Sequence, residues 1–192
     1  MEPKDIMLVS PNTVKAGSYI TNDVSDEIIG SSIREVQDIH LQSIVGSNLL
    51  NALQTLVYNK MKNLEDTIDD DKNEAYKTLL DDYVTPYMVN KVQAAICLPI
   101  TFKIRNMGVI QNSDTNVNKS YLSDIYAVQR RFNTMADRYA TFLSMFLCER
   151  FSDFPELKET SCGCGAFVPA QVGKRFVNVG LNLDKGGKPC CK

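Results

Sequence analysis

YKTLLDDYVTPYMVNKVQAAICLPITFKIRNMGVIQ, residues 76–111, is the stretch that decides how the chain folds. Its first part sets Tyr76, Leu79, Leu80, Tyr83 and Val84 at i, i+3, i+4, i+7 and i+8, the stripe of a helix that presses one face into a core. Thr85-Pro86 then puts an N-cap residue before a proline at a first helical position. That pair predicts a restart or kink, with the helix running on through Tyr87, Val92 and Ile96. Leu98-Pro99 predicts its stop. Beyond it Ile100, Phe102 and Ile104 alternate with Thr101, Lys103 and Arg105, and Asn106-Met107-Gly108 reads as a turn before Val109-Ile110. A small β-hairpin arm is therefore expected at about residues 99–112. Neither part offers a group for covalent chemistry. Backbone edges and alternating apolar side chains suit a partner instead, so Ile100, Phe102, Ile104, Val109 and Ile110 are candidate interface residues.

Upstream, residues 1–24 mix Pro3, Pro11, Gly17 and Asn22 with short β-prone pieces, which predicts an extended N-terminal arm lying on this subunit or a neighbour. Ser32-Ile33-Arg34-Glu35 has the form of a capping box and predicts a helix with Ile33, Val36, Ile39 or His40, and Ile44 on one side, ended by Gly46. A second helix beginning near Ser47 carries Leu49, Leu50, Leu53, Leu56 and Val57, until the charged run Glu65 to Lys72 breaks the pattern.

Downstream, Asn112 to Lys119 is a polar loop, and Ser120 caps the longest expected helix, running to about Phe151. Within it Ile125, Val128, Phe132, Met135, Tyr139, Phe142 and Phe146 repeat at alternating intervals of three and four, a heptad seam. Aromatic residues favour packing of this seam on the other helices over a two-stranded coiled coil, whose seam prefers Leu and Ile, and self-association is the alternative.

From Ser152 the prolines and glycines multiply, so the compact domain is expected to span 25–151 and to be followed by an extended tail, 152–192. In that tail Phe176, Val177, Val179 and Leu181 could add a strand to a neighbour's sheet edge or fold back on the chain's own arm, and they join the candidate interface residues. The expected fold is mainly α: an antiparallel helical bundle with a small β-hairpin arm and extended N- and C-terminal segments.

With 192 residues the chain holds one ordinary core, and a hydrophobic share of 44% against 23% charged places it among folded rather than disordered sequences. A net charge of -2 gives no general attraction to nucleic acid or to an anionic membrane. The run Ile6 to Val9 is too short for a signal-peptide core, and Val92 to Phe102, interrupted by Pro99, is too short for a membrane span. A cytosolic protein without membrane contact is expected, with the 6 cysteines as reduced thiols.

Motifs of chemistry are sparse. His40 is the sole histidine and borders an apolar face, as a packed or surface imidazole does. The sequence contains no G-x-S-x-G, Walker or G-x-G-x-x-G pattern. The run Glu65 to Lys72 lacks the glycine that a calcium loop needs, and reads as a solvated acidic loop at a helix start. Cys162, Cys164, Cys190 and Cys191 could supply four thiolates, but C-x-C and C-C do not have the spacing of structural zinc sites, so they read as loosely held thiols. Cys97 and Cys148 sit in apolar helical settings and are expected to be buried small hydrophobes. Arg130, Arg131 and Arg138, with Lys174 and Arg175, are too sparse for a nucleic-acid stripe and suit carboxylates or a partner surface. No catalytic residue, metal or cofactor is expected.

Three segments carry a resemblance: VQDIHLQSIVGSNLLNAL at Val36 to Leu53, LLDDYVTPYMVNKVQAAICLPI at Leu79 to Ile100, and FKIRNMGVIQ at Phe102 to Gln111. Together they resemble the helical head–tail connector (adaptor or ring) proteins of tailed bacteriophages, especially those of crAss-like Bacteroides phages, over about Ser32 to Phe151. The likeness lies in helix lengths, the Val45-Gly46 break, the Tyr-Val-x-Pro joint and the Gly-Val turn. It implies a structural virion protein, not an enzyme. Copies of it would form a ring, commonly a dodecamer, at the head–tail junction between the portal protein and tail or second adaptor proteins. Assembly would occur in the host cytoplasm, and genomic DNA would pass through the lumen without specific binding. A mildly acidic lumen would let DNA slide, since tight phosphate contacts act as a brake. The alternatives are a cellular all-α interaction module and a zinc or redox module centred on the tail cysteines.

Overall fold

In the computed structural model, which describes residues 2–105, 108–111 and 122–157, the chain opens as part of the core and not as an extended arm. Pro3 begins a single 3-10 turn, Pro3–Asp5, and Pro11 begins helix α1, Pro11–Ala16, where Ser10 caps by accepting the Thr13 N–H at 3.1 Å. A proline at a first helical position loses no hydrogen bond, so residues that look like breakers act here as starts. Between them Ile6, Leu8 and Val9 are buried, as is Val14 in α1. Two buried glutamines satisfy the backbone of this segment. Gln37 accepts the Leu8 N–H at 2.9 Å and donates to the Ile6 carbonyl at 3.1 Å, while Gln54 donates to the Ile6 and Lys4 carbonyls, both at 3.1 Å.

Helix α2, Asp26–Glu35, is capped by Ser25, which accepts the Glu27 N–H at 3.2 Å and is followed by Asp26 and Glu27 in the first turn. The expected start at Ser32 is therefore corrected: Ser32 is buried mid-helix, beside the apolar stripe of Ile29 and Ile33. Ser25 followed by two carboxylates at the positive end of the helix dipole is the stronger start signal. The helix continues through a π turn, Val36–Leu41, into α3, Gln42–Val45, and the Gln42 N–H reaches back five residues to the Gln37 carbonyl. This wider turn shifts the phase of the stripe. Val36, Gln37, Leu41 and Val45 point inward, whereas Ile39, expected on the buried side, is 61% exposed. Gly46, at φ 82, turns the chain in a conformation that a side chain would strain, and α4, Ser47–Lys62, follows with Leu49, Leu50, Leu53 and Leu56 buried.

A second π turn explains the Thr85-Pro86 joint. Helix α5, Glu74–Thr78, passes through Leu79–Val84 into α6, Thr85–Thr101, without a restart. Thr85 is helical (φ -60, ψ -50), not a cap, and its N–H reaches the Leu80 carbonyl five residues back. Pro86 has no N–H for the carbonyl four residues earlier, and its ring would press on it; the wider turn makes room. Leu79, Leu80, Val84, Tyr87, Val92 and Ile96 are buried, as their spacing predicts.

Pro99 does not stop α6, which reaches Thr101, so Ile100 is helical and not part of a strand. So near the helix end the proline removes one backbone bond and the helix tolerates it, while the Thr101 hydroxyl donates to the Cys97 carbonyl at 2.7 Å. Strands β1, Phe102–Arg105, and β2, Gly108–Gln111, follow, paired antiparallel with Phe102 opposite Gln111, Lys103 opposite Ile110, Ile104 opposite Val109 and Arg105 opposite Gly108.

Helix α7, Leu122–Glu149, is 28 residues long and about 42 Å at 1.5 Å per residue. It packs chiefly on α6. Lys91 Nζ donates to Asn133 Oδ1 at 2.8 Å, Gln129 Nε2 donates to the Ala94 carbonyl at 3.1 Å, and the Tyr83 and Phe146 rings stack at 4.3 Å. Residue numbers fall on α7 as they rise from Tyr83 to Ala94, so the two helices run antiparallel. The buried face of α7 is Ala136, Ala140, Leu143, Ser144, Phe146 and Leu147: Phe146 of the expected aromatic seam is buried, while the centre of the face lies about one residue out of phase with that seam. Ala136 and Ala140 let α7 approach its neighbours closely, while Val128 and Phe142 of the expected seam fall on the flank, 48% and 53% exposed.

The compact domain does not end at 151, because Phe154 and Leu157 are fully buried. Phe154 meets the Tyr76 ring edge-on at 5.1 Å, and the Tyr76 hydroxyl lies 2.9 Å from both carboxylate oxygens of Glu156.

Candidate functional site

The antiparallel pairing of α6 with α7 brings the C-terminal end of α6, the N-terminal end of α7 and the start of the hairpin together. There an open groove of about 380 Å³ is lined by Tyr19, Ile20, Val24, Ile96, Cys97, Ile100, Ile125, Val128 and Phe132, with Thr21, Gln93, Thr101 and Asp124 as its polar members. Its wall from the N-terminal segment is fixed by the buried Gln93, which accepts the Tyr19 N–H at 3.1 Å and donates to the Val89 carbonyl at 3.3 Å. The Tyr19 and Phe132 ring centroids lie 6.2 Å apart across the groove's rim.

Chemically the groove offers mainly apolar side chains. Burial pushes the Cys97 thiol above its ordinary pKa, and the thiol donates to the Gln93 carbonyl at 3.1 Å, so it stays protonated and is a poor nucleophile. Cys97 and Cys148 are half-buried and not fully sequestered as expected. His40 is half-buried away from these groove residues, its pKa lowered mainly by burial, then by the nearby charge of Lys91. Burial pushes the Tyr87 hydroxyl well above the usual phenol range, with the Asp137 charge adding to it.

The run Glu65 to Lys72 is a tied loop. Asp69 receives Lys60 at 2.7 Å and Lys77 at 3.0 Å, Asp66 receives Lys72 at 3.0 Å, and Ile68 is buried beneath them. Among the described residues no group of three or more His, Cys, Asp or Glu is placed to hold a metal ion, and no helix is long and apolar enough to cross a membrane.

Of the candidate interface residues, Ile100 lines the groove and is 37% exposed. Phe102, Ile104, Val109 and Ile110 lie in the paired strands, which adjoin the groove through Thr101. The turn residues Asn106 and Met107, the loop at 112–119, the cap at Ser120, and the tail with Phe176, Val177, Val179, Leu181 and its four cysteines lie outside the described residues. Sequence reading placed no site residue in the N-terminal segment, yet Tyr19, Ile20 and Val24 form one wall. An apolar pair followed four residues later by another apolar residue, just ahead of the Ser25 cap, was the available signal.

The family model described as a family of unknown function (DUF6712) matches residues 43–166, well over half of the chain. No curated protein and no solved structure matches.

Proposed function

We propose that this chain, which belongs to that family of unknown function, is a non-catalytic structural subunit whose copies assemble into the ring of a phage head–tail connector. On this reading the body is an antiparallel helical bundle and the hairpin is an arm reaching a neighbour. The ring is a dodecamer that joins the portal protein to tail or second adaptor proteins, at the head–tail junction of the virion. DNA passes through it without specific binding.

The carrying observation is the apolar groove where α6, α7 and the base of the hairpin meet, with Ile100 and Val128 open to solvent in its lining. A groove next to a two-stranded ladder supplies two unlike surfaces at one place, side chains to pack and backbone to pair. Rings are built from heterologous contacts, in which one patch meets a different patch on the next copy. The resemblance of Val36 to Leu53 and Leu79 to Gln111 to connector proteins supplies the particular setting.

Native mass spectrometry and negative-stain imaging of the full chain, alone and with the portal protein of the phage that encodes it, test the proposal. A closed ring that binds the portal is expected. A monomer or dimer that ignores the portal would sink it.

A further inference from the structure

The outward face of α7 carries a pattern that its own core does not use. Arg131, Arg138, Phe142, Met145 and Glu149 succeed one another at intervals of seven, four, three and four, so they share one stripe, opposite Ala136, Ala140, Leu143 and Leu147. All five are exposed, Phe142 at 53% and Met145 at 55%. Phe142, Met145 and Glu149, with Asp82 from the π turn before α6, border a cleft of about 350 Å³ that is floored by aromatic rings. Arg131, Arg138, Asp82 and Glu149 form no ion pair among the described residues. Arg131 and Glu149 cannot reach each other, being roughly 27 Å apart along the helix at 1.5 Å per residue.

We infer that this stripe is a self-association face, in which Arg131 and Arg138 of one copy meet Phe142, Glu149 and Asp82 of a second copy of the chain. The spacing supports it: Arg131 and Arg138 are seven residues apart, and so are Phe142 and Glu149. Two helices can therefore satisfy both pairs at once, one guanidinium over the Phe142 ring and the other on the Glu149 carboxylate, with Asp82 beside it. An antiparallel register sets Arg131 on Glu149 and Arg138 on Phe142, and closes at two copies. A parallel register staggered by one cleft sets Arg131 on Phe142 and Arg138 on Glu149, and stays open for further copies. The contact goes beyond the connector reading and does not depend on it.

Sedimentation velocity of the full chain over a concentration series, with two charge-reversed variants, tests the inference. Arg131→Glu with Arg138→Glu, and Asp82→Arg with Glu149→Arg, should each weaken association at least tenfold. An equimolar mixture of the two should restore most of it, because the ion pairs re-form with signs exchanged while a glutamate facing Phe142 forgoes the cation–π contact. All four side chains are exposed, and circular dichroism of each variant checks that the fold is intact. A dimer lost on reversal and regained on mixing supports the contact and counts against the ring. A ring lost and regained supports both, and a ring indifferent to reversal overturns the contact and leaves the ring. A wild-type chain that stays monomeric overturns it too.

Discussion

The two halves of α7 are one continuous helix in two different environments. From Ala136 onward the helix buries Ala136, Ala140, Leu143, Ser144, Phe146 and Leu147. From Leu122 to Met135 none of its side chains is fully buried, and Leu122, Tyr126 and Val128 stand about half exposed. The second half is held by what surrounds it: the Tyr83 ring stacked on Phe146, and the Phe154 ring 6.1 Å from Phe146. The first half has α6 on one side and the open groove on the other. At about 25 cal/mol per Å² of apolar surface removed from water, the first half leaves unrealised a stabilisation that the second half collects. The helix is longer than its own core requires, and Leu122, Tyr126 and Val128 are apolar side chains that this core does not cover.

The sharpest way to break the contrast is one truncation in each half. Leu143→Ala empties a site with no solvent access and should cost about 2–5 kcal/mol. Val128→Ala, in the groove lining and 48% exposed, should stay within about 0.5 kcal/mol. Urea denaturation of both variants measures the difference. Equal losses would mean that the first half is as firmly packed as the second.

Where the sequence misled, the cause was phase or position. The leucines of α4 were legible because they lie on one α-helix of constant repeat, and Leu49, Leu50, Leu53 and Leu56 are buried; Leu79, Leu80 and Val84 are buried too, although the π turn Leu79–Val84 runs through that stripe. Ile39 was misplaced because the π turn at Val36–Leu41 holds more residues than an α turn, which single-period reading cannot register. In α7 the aromatic residues set the apparent seam, while Ala136 and Ala140, which carry the close contact, are too small to weigh in a hydrophobic count. Gln37 and Gln54 drew no reading from the sequence, being polar residues within helices of apolar stripe. They are backbone partners for Lys4 to Leu8, and that pairing depends on contacts across more than 28 residues of chain, as in Leu8 with Gln37, 29 apart. The groove was half legible: Ile100, Val128 and Phe132 were singled out, but the wall from Tyr19 to Val24 was not, since nothing local says that an N-terminal segment folds back.

A smaller effect tests how the firm half is locked. The Tyr76 hydroxyl shares the Glu156 carboxylate, and burial, followed by that hydrogen bond, pushes its pKa far above the ordinary 10.0. Tyr76→Phe should cost about 1.5 kcal/mol, the low end for a hydrogen bond to a charged group, because both side chains are only partly buried. The raised value also fixes the sign of the alkaline response. The folded state disfavours the phenolate, so this stabilisation is complete below pH 10 and is lost as pH rises from there. Tyr76→Phe should unfold at higher pH relative to its own neutral stability, as a pH series of denaturation midpoints would record. An unchanged alkaline limb would show that other groups govern it.

The smallest expected effect sits where the two halves of α7 meet. His40, on the π turn after α2, feels Asp137, and its ring is held below its ordinary 6.5 by burial first and the Lys91 charge second, against the opposite pull of Glu35 and Asp137. Because the folded state binds the proton less well than the unfolded chain, stability should be full above pH 6.5 and decline as pH falls through the lowered folded value. His40→Gln keeps a polar side chain of similar size but does not titrate, so its stability should be flatter across that window. Comparing the slopes of unfolding free energy against pH for the two proteins isolates the histidine from the carboxylates, whose own titration lies lower. If the slopes coincide, the proton meets the same surroundings in both states, and the junction beside Asp137 is as open as the half of α7 that precedes it.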